Sequence, residues 1–535
     1  MPQKRYELLN SFDGVLRLMQ KCRYHKRMKS VHFRIPSCLI IGSILVCITV
    51  ATAFAADASS PNTAAVKKDA DSKESVLTVE TVAGEDQKTV QLYPFDQIPD
   101  SAEIRARITA SWLSAPIEKV VKKASELHTD SKGNTFTVSG NYAENRQDGY
   151  IISIIPDLTD YSLPEHNLVP QGTWKLYRNL DTGAPLLIKI YPRENPALSI
   201  SIRPAAQKAY SGKSFIDICL FNAYVRKDIA IGVPFEVLYH TSLSQLKELT
   251  EAIVPWDLFN PPRYNSPVKA MSRIVDNLRY RLVQLKDGCF DHNGKPVHIS
   301  NLQPQTELEI TTAMNIDQIR AEVIGGVDSA GFAKWIIDGI IRPIAGQGSV
   351  VEALKRGTEV PKTHFTRPYL DTDNVFFGLD WIRNLGAAAL SLNLNRTVYP
   401  ESAGLDVTDC PFALADAVVP SGSANASVKQ PAFLGYQQYA GYQTAYLIPL
   451  LYYRAIIEPD HFYLACISTI PAATELRRYD RIAVFFPYFD SLGEFHLDIY
   501  ENGEQIPIPD FIEQNKESSM ALVRVRAPEE GLFNP

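Results

Sequence analysis

The chain has 535 residues, a formal net charge of -6 and a hydrophobic fraction of 45%. That balance argues against a disordered chain, and the lack of a basic tract or zinc-finger spacing argues against a nucleic-acid partner. The length exceeds what one ordinary core holds, so two or three domains are expected.

The first segment reads as an address. Residues Leu39 to Phe54 are apolar and uncharged, Lys26, Arg27, Lys29 and Arg34 precede them, and Ala53-Phe54-Ala55-Ala56 follows as a small-x-small cleavage signal. This is the pattern of a signal peptide cut between Ala55 and Ala56, of ordinary length if translation starts at Met28. The alternative is an uncleaved anchor over residues 35–56 with its basic flank in the cytoplasm. Either reading places the rest of the chain outside the cytoplasm, in the periplasm or cell envelope. Cys47 follows Ile44-Leu45-Val46, large residues where a lipoprotein signal has a small one. Residues 1–56 are thus the targeting segment, and 57–95, rich in Ala, Ser, Thr, Lys, Asp and Glu, a flexible linker. Downstream, Cys219, Cys289, Cys410 and Cys466 are widely spaced, without a C-x-x-C pair. Export permits two disulfides among them; four buried thiols are the other reading.

Residues 96–245 read as a β-rich module. Ile104 to Val121 is expected as one helix. Strands are expected at Phe136–Ser139, Tyr150–Ile155, Leu186–Tyr191, Leu198–Arg203, Phe215–Phe221 and Phe235–Tyr239, from their apolar runs and alternation. A small sandwich or barrel-like module fits. Gly212-Lys213-Ser214 ends like a phosphate loop, but Gln207 stands where that loop needs glycine, so no nucleotide is expected.

Residues 246–535 mix helix and strand. Ser266-Pro267 opens a helix whose apolar face is Val268, Met271, Ile274, Val275, Leu278, Leu282 and Leu285. A hairpin follows at His292-Asn293-Gly294. His292 and His298 would be the residues for a metal there, but a solvent-exposed turn histidine is the simpler reading, and neither metal nor cofactor is expected. Another helix is expected from Asn374 to Leu392, with Phe376, Leu379, Ile382, Leu385 and Ala389 inward. Asp371-Thr372-Asp373-Asn374 starts like a calcium loop but continues with Val375 and Phe376, so it reads as that helix's cap. Residues 420–430 form a polar loop. Tyr436, Tyr439, Tyr442, Tyr446, Tyr452 and Tyr453 read as core and rim packing, or as the lining of a groove. Strands close the chain at Ile482–Phe486, Phe495–Tyr500 and Ala521–Val525.

The stretch Gly325-Gly326-Val327-Asp328-Ser329-Ala330-Gly331-Phe332-Ala333-Lys334-Trp335 reads as a loop turning into a helix, with Asp328 or Ser329 as N-cap. Phe332, Trp335, Ile336, Ile340 and Ile341 recur at helical spacing, and Pro343 is expected to end the run. Asp328-Ser329-Ala330-Gly331-Phe332-Ala333 resembles the nucleophile motif of the NlpC/P60 cell-wall peptidases, a papain-like family, which reads roughly Asp-Cys-Ser-Gly-Phe/Leu-Val at a helix start. Tyr479-Asp480-Arg481-Ile482, then His496-Leu497-Asp498-Ile499-Tyr500 with Asn502-Gly503, is similar to that family's histidine strands.

The resemblance implies a papain-like α+β domain over 246–535, with Ser329 in the cysteine's position and His496 in the histidine's. A hydroxyl, unlike a thiol, needs its base in place as attack occurs, so a site evolved around a thiolate loses most activity on that exchange. The expectation is therefore an inactive site in an envelope protein that binds peptidoglycan peptides or an envelope partner. The alternatives are an active Ser329–His496 amidase or peptidase, and an anchored scaffold without a wall ligand. Without the resemblance, Ser329 is a helix cap and His496 a strand-surface residue.

Overall fold

The computed structural model describes residues 93–535 except 144–148, 158–168, 206–211, 222, 265, 281, 285–288, 291–295, 298–324, 328, 355, 359–375, 411–413, 416–431, 434, 439, 471–476 and 530. The targeting segment, nearly all of the linker, His292, His298, Asp328 and the 420–430 loop lie outside them. No helix among the described residues is long and apolar enough to cross a membrane.

The chain is mixed α+β, with antiparallel sheets dominating. The first helix, α1 (Ala102–Ile108), is capped by Ser101, whose hydroxyl accepts from the Ile104 N–H. The single helix expected from Ile104 to Val121 is broken. A π turn at Thr109–Leu113 follows α1, and Pro116, which cannot donate, restarts the chain as α2 (Ile117–Val120). Thr109 contributes to the break, its hydroxyl donating back to the Arg105 carbonyl at 2.7 Å.

Eight strands then run up and down as one antiparallel meander, each paired with the next: β1 (Glu126–Thr129), β2 (Thr135–Tyr142), β3 (Tyr150–Pro156), β4 (Thr173–Arg178), β5 (Pro185–Tyr191), β6 (Leu198–Pro204), β7 (Ser214–Leu220) and β8 (Ala223–Ile231). Their alternate residues Ile152, Ile154, Trp174, Leu176, Ile188, Ile200, Ile202, Ile216 and Ile218 are buried in one core. The strand expected at Phe235–Tyr239 is instead a 3-10 turn. Pro234 precedes it with a fixed φ, and Phe235, Leu238 and Tyr239 bury at helical, not alternating, spacing.

After α3 (Leu243–Thr250) comes α4 (Pro267–Arg279), with Ser266 as N-cap and Pro267 in the first turn. Helix α4 ends before Leu282, which instead begins β9 (Leu282–Gln284). The hairpin β10 (Cys289–Phe290) with β11 (Pro296–Val297) follows. Strand β12 (Gly325–Val327) pairs in parallel with β9 and leads into α5 (Ser329–Ala345). Phe332, Trp335, Ile336, Ile340 and Ile341 are all buried. Pro343 does not end this helix. The proline leaves the Gly339 carbonyl without its i+4 donor, and the backbone N–H of Asn534 supplies one at 2.9 Å.

Helices α6 (Val351–Leu354) and α7 (Phe377–Asn393) follow, then the short pair β13 (Leu414–Ala415) and β14 (Ala432–Phe433). The remaining elements are β15 (Tyr442–Gln443), α8 (Leu447–Ile457), β16 (His461–Thr469), β17 (Arg478–Phe489), β18 (Phe495–Glu501), β19 (Glu504–Gln505), α9 (Ile508–Gln514) and β20 (Ser519–Arg526). They build a six-stranded sheet in the order β15-β20-β16-β17-β18-β19.

This second sheet is buried on both faces, and alternation divides its side chains between two cores. From β16, Phe462, Leu464 and Cys466 join α4, α5 and α7 in one; Tyr463, Ala465 and Ile467 join α8 and the meander in the other. Cys219, Cys410 and Cys466 are buried thiols outside any disulfide. Within the tyrosine run, Tyr442 and Tyr452 are buried, and the Tyr452 hydroxyl donates to the Leu258 carbonyl at 2.7 Å.

Candidate functional site

Ser329 is the first residue of α5 and is 7% exposed. Its turn is held from above by α7, whose Trp381 indole N–H donates to the Ala330 carbonyl at 3.0 Å. One turn along, Phe332 packs against Tyr500 of β18, with ring centroids 6.2 Å apart. The helix start expected from the sequence is therefore present, pressed against the second sheet, and its serine faces packed protein.

His496 lies near the other end of β18. It is paired across the ladder with Tyr488, and the two rings stack at 5.1 Å. From His496 to Tyr500 the strand advances roughly 13 Å at about 3.3 Å per residue. Between them on the same face is Asp498, which accepts from the Ser272 hydroxyl of α4 at 2.6 Å. Helix α4 thus covers the stretch of strand that separates the two candidate residues. Ser329 and His496 share no hydrogen bond; the partner of His496 is Asp490, whose Oδ2 lies 3.2 Å from the His496 Nε2.

Asp490 belongs to the turn joining β17 to β18. The Gly493 N–H donates to the Asp490 carbonyl at 3.0 Å, and the Asp490 N–H donates to the Glu494 carbonyl at 3.1 Å. Gly493 takes φ +82°, as a three-residue hairpin loop with a bulge requires. The Asp490 Oδ1 accepts from the N–H groups of Leu492 and Glu494, each at 2.9 Å. Burial works to raise the Asp490 pKa, but the His496 hydrogen bond and the two backbone donors outweigh it and hold the carboxyl down at about 2. Neighbouring Glu494 goes the other way: burial, then the charges of Asp490 and Glu194, push its pKa up.

Asp490, Glu494 and His496 bring one ligating atom each within 4.8 Å of one another, the group among the described residues that is suited to a metal ion. Two carboxylates and an imidazole are a donor set for a borderline divalent cation. The observed bonds of Asp490 are those of a hairpin cap, and they account for the cluster without a metal. Asp490 is not among the residues singled out from the sequence, where only Ser329 and His496 carry the resemblance. The signal was the Asp490-Ser491-Leu492-Gly493-Glu494 turn between two apolar strands.

The arrangement joins a histidine to an aspartate. Ser329 has the helix-start placement of a nucleophile, and no hydrogen bond joins it to a histidine among the described residues. Residues 94–258 match the model of a family described as a domain of unknown function, DUF8515, a span that contains α1 to α3 and the whole meander. No curated protein and no solved structure matches the chain.

Proposed function

We propose that the protein is an exported cell-envelope component that binds peptidoglycan peptides or an envelope partner and does not hydrolyse them. The observation that carries the non-catalytic part is the separation of the two candidate residues. Ser329 is buried under α7, whereas His496 is engaged by Asp490, with α4 between them. General-base activation of a hydroxyl requires direct reach of about 3 Å, or one water between the groups. The papain-like reading draws support from α5 packing its start against an antiparallel sheet that carries His496. The sandwich or barrel-like reading of the first module draws support from the eight-stranded meander. The export reading rests on the charge-free run ending at Ala55-Ala56.

Sedimentation tests the binding half. Purified protein mixed with isolated peptidoglycan is expected to pellet with it, and Ser329→Ala is expected to pellet equally, since a buried serine contributes no ligand contact. Protein that stays in the supernatant at all wall concentrations contradicts the wall-binding reading.

A further inference from the structure

A cleft of about 770 Å³ opens beside the beginning of α4, and none of Asp490, Glu494 and His496 lines it. One wall is cationic. Helix α4 starts there, so the positive end of its dipole lies at the opening, although Pro267 has no N–H and the Val268 N–H is taken by the Ser266 hydroxyl. Lys269 and Arg273, four residues apart and on one face of that helix, line the wall, and Arg526 joins them from the end of β20. None of the three forms an ion pair among the described residues. Arg105, Arg203, Arg383, Arg454, Arg481 and Arg524, by contrast, each hold a carboxylate. Lys269 instead lies over the Tyr488 ring, 6.0 Å from its centroid. Two acids also line the cleft. Asp460 is occupied by the Tyr264 hydroxyl at 2.8 Å, and Glu529 is exposed at the edge.

The facing wall is apolar and wet. Ile340, at the end of α5, forms its floor, while Ile344 and Leu532 stand 54% and 44% exposed. The C-terminal tail fixes this wall. Phe533 is buried, and the Asn534 N–H bonds the Gly339 carbonyl, so Leu532 is held against the last turn of α5. Exposed aliphatic side chains opposite unpaired cations give a surface with two chemistries, in a volume suited to a small organic ligand.

We infer that this cleft binds an organic anion, its carboxylate or phosphate head against Lys269, Arg273 and Arg526 and its apolar body along Ile344 and Leu532. A bare inorganic anion would leave the apolar wall uncovered, and an organic cation would face three like charges. The inference stands independently of wall binding, because the ligand chemistry comes from the cleft alone. Two sources supply it: a fatty-acid or lipid-derived anion, and a peptide C-terminus bearing an apolar side chain.

Calorimetric titration of the purified protein tests it with four probes: octanoate, N-acetyl-leucyl-alanine, octylamine and inorganic phosphate. At least one of the two carboxylates is expected to bind roughly tenfold tighter than octylamine or phosphate, and the preferred carboxylate identifies the source. The double variant Arg273→Gln/Arg526→Gln changes two exposed side chains and is expected to keep the wild-type melting temperature. It should weaken the carboxylate by at least about tenfold, and Leu532→Ser should also weaken it. The inference is overturned if neither carboxylate binds up to about 10 mM, or if octylamine or phosphate binds as well as they do. Unchanged binding in a folded double variant overturns it equally.

Discussion

Lys334 and Asp338 show how a single pair of charges can organise the start of the helical layer. They lie one turn apart on α5, their side chains 2% and 1% exposed, joined by a 2.6 Å ion pair. The other carboxylate oxygen of Asp338 accepts from both the backbone N–H and the hydroxyl of Ser349, each at 2.6 Å. One buried carboxylate therefore satisfies a lysine on its own helix and fixes the chain that leads to α6. Removing it strands a buried ammonium and two buried donors, whose desolvation is then uncompensated. Asp338→Ala is expected to destabilise the fold by about 3–5 kcal/mol, read as a lowered urea midpoint. The double change Lys334→Met/Asp338→Leu should cost clearly less. A single variant that loses less than about 1 kcal/mol would mean that the pair is wet.

This pair was not legible in the sequence. Lys and Asp at i and i+4 on a helix read as a solvated surface pair, and Phe332, Trp335 and Ile336 read as a single inward stripe. The structure buries every residue from Ser329 to Ile341. That happens because the sheet, α7 and the tail enclose the helix, which are contacts of long sequence separation. Long-range contacts also surround Ser329 and His496. Each sits on the kind of element its motif indicated, but a motif carries no information about Ser272 and Asp498 meeting in the interval between them.

At the scale of elements, local signals were read well where the physics is local. Ser266-Pro267 starts α4 with both its cap and its fixed φ, and the alternating Leu198–Arg203 forms β6. Two misread elements, the broken 104–121 helix and the 3-10 turn at Phe235–Tyr239, have local causes in Pro116 and Pro234, whereas a third turns on a distant partner. Pro343 should stop a helix, yet α5 continues to Ala345 because Asn534 satisfies the carbonyl that the proline frees. The tail approaches so closely that a Cβ at Gly339 would stand 2.6 Å from the Pro535 Cα and 2.7 Å from the Phe533 ring. Glycine to alanine within a helix ordinarily gains about 1 kcal/mol. Here Gly339→Ala is expected to lose stability instead, because backbone has to move, and the tail should become accessible to carboxypeptidase. A variant at least as stable as wild type, with a protected tail, would contradict this packing.

At the scale of the whole molecule, the second sheet belongs to both cores. Its continuous apolar strand β16 (buried from Phe462 to Ser468) has the character of a central strand, and the sheet order confirms that position. What the sequence could not convey is the sheet order itself. The last strand, β20, inserts between β15 and β16, a pairing that depends on where the chain returns. The meander was easier to read because every strand pairs with its sequence neighbour. One sheet face supports α4, α5 and α7, which hold Ser329 and cover the strand leading to His496; the other packs on the meander through α8. Ser329 is thus held in the helical layer on that face, while His496 sits at the partly exposed start of β18.

The central claim is that this packing leaves no working nucleophile–base pair. The most direct test is the release of soluble fragments and new amino groups from isolated peptidoglycan, comparing wild type with Ser329→Ala and His496→Ala. The account predicts no release above buffer from any of the three. Release by the wild type that both substitutions abolish would show that Ser329 and His496 do work together, and would contradict it.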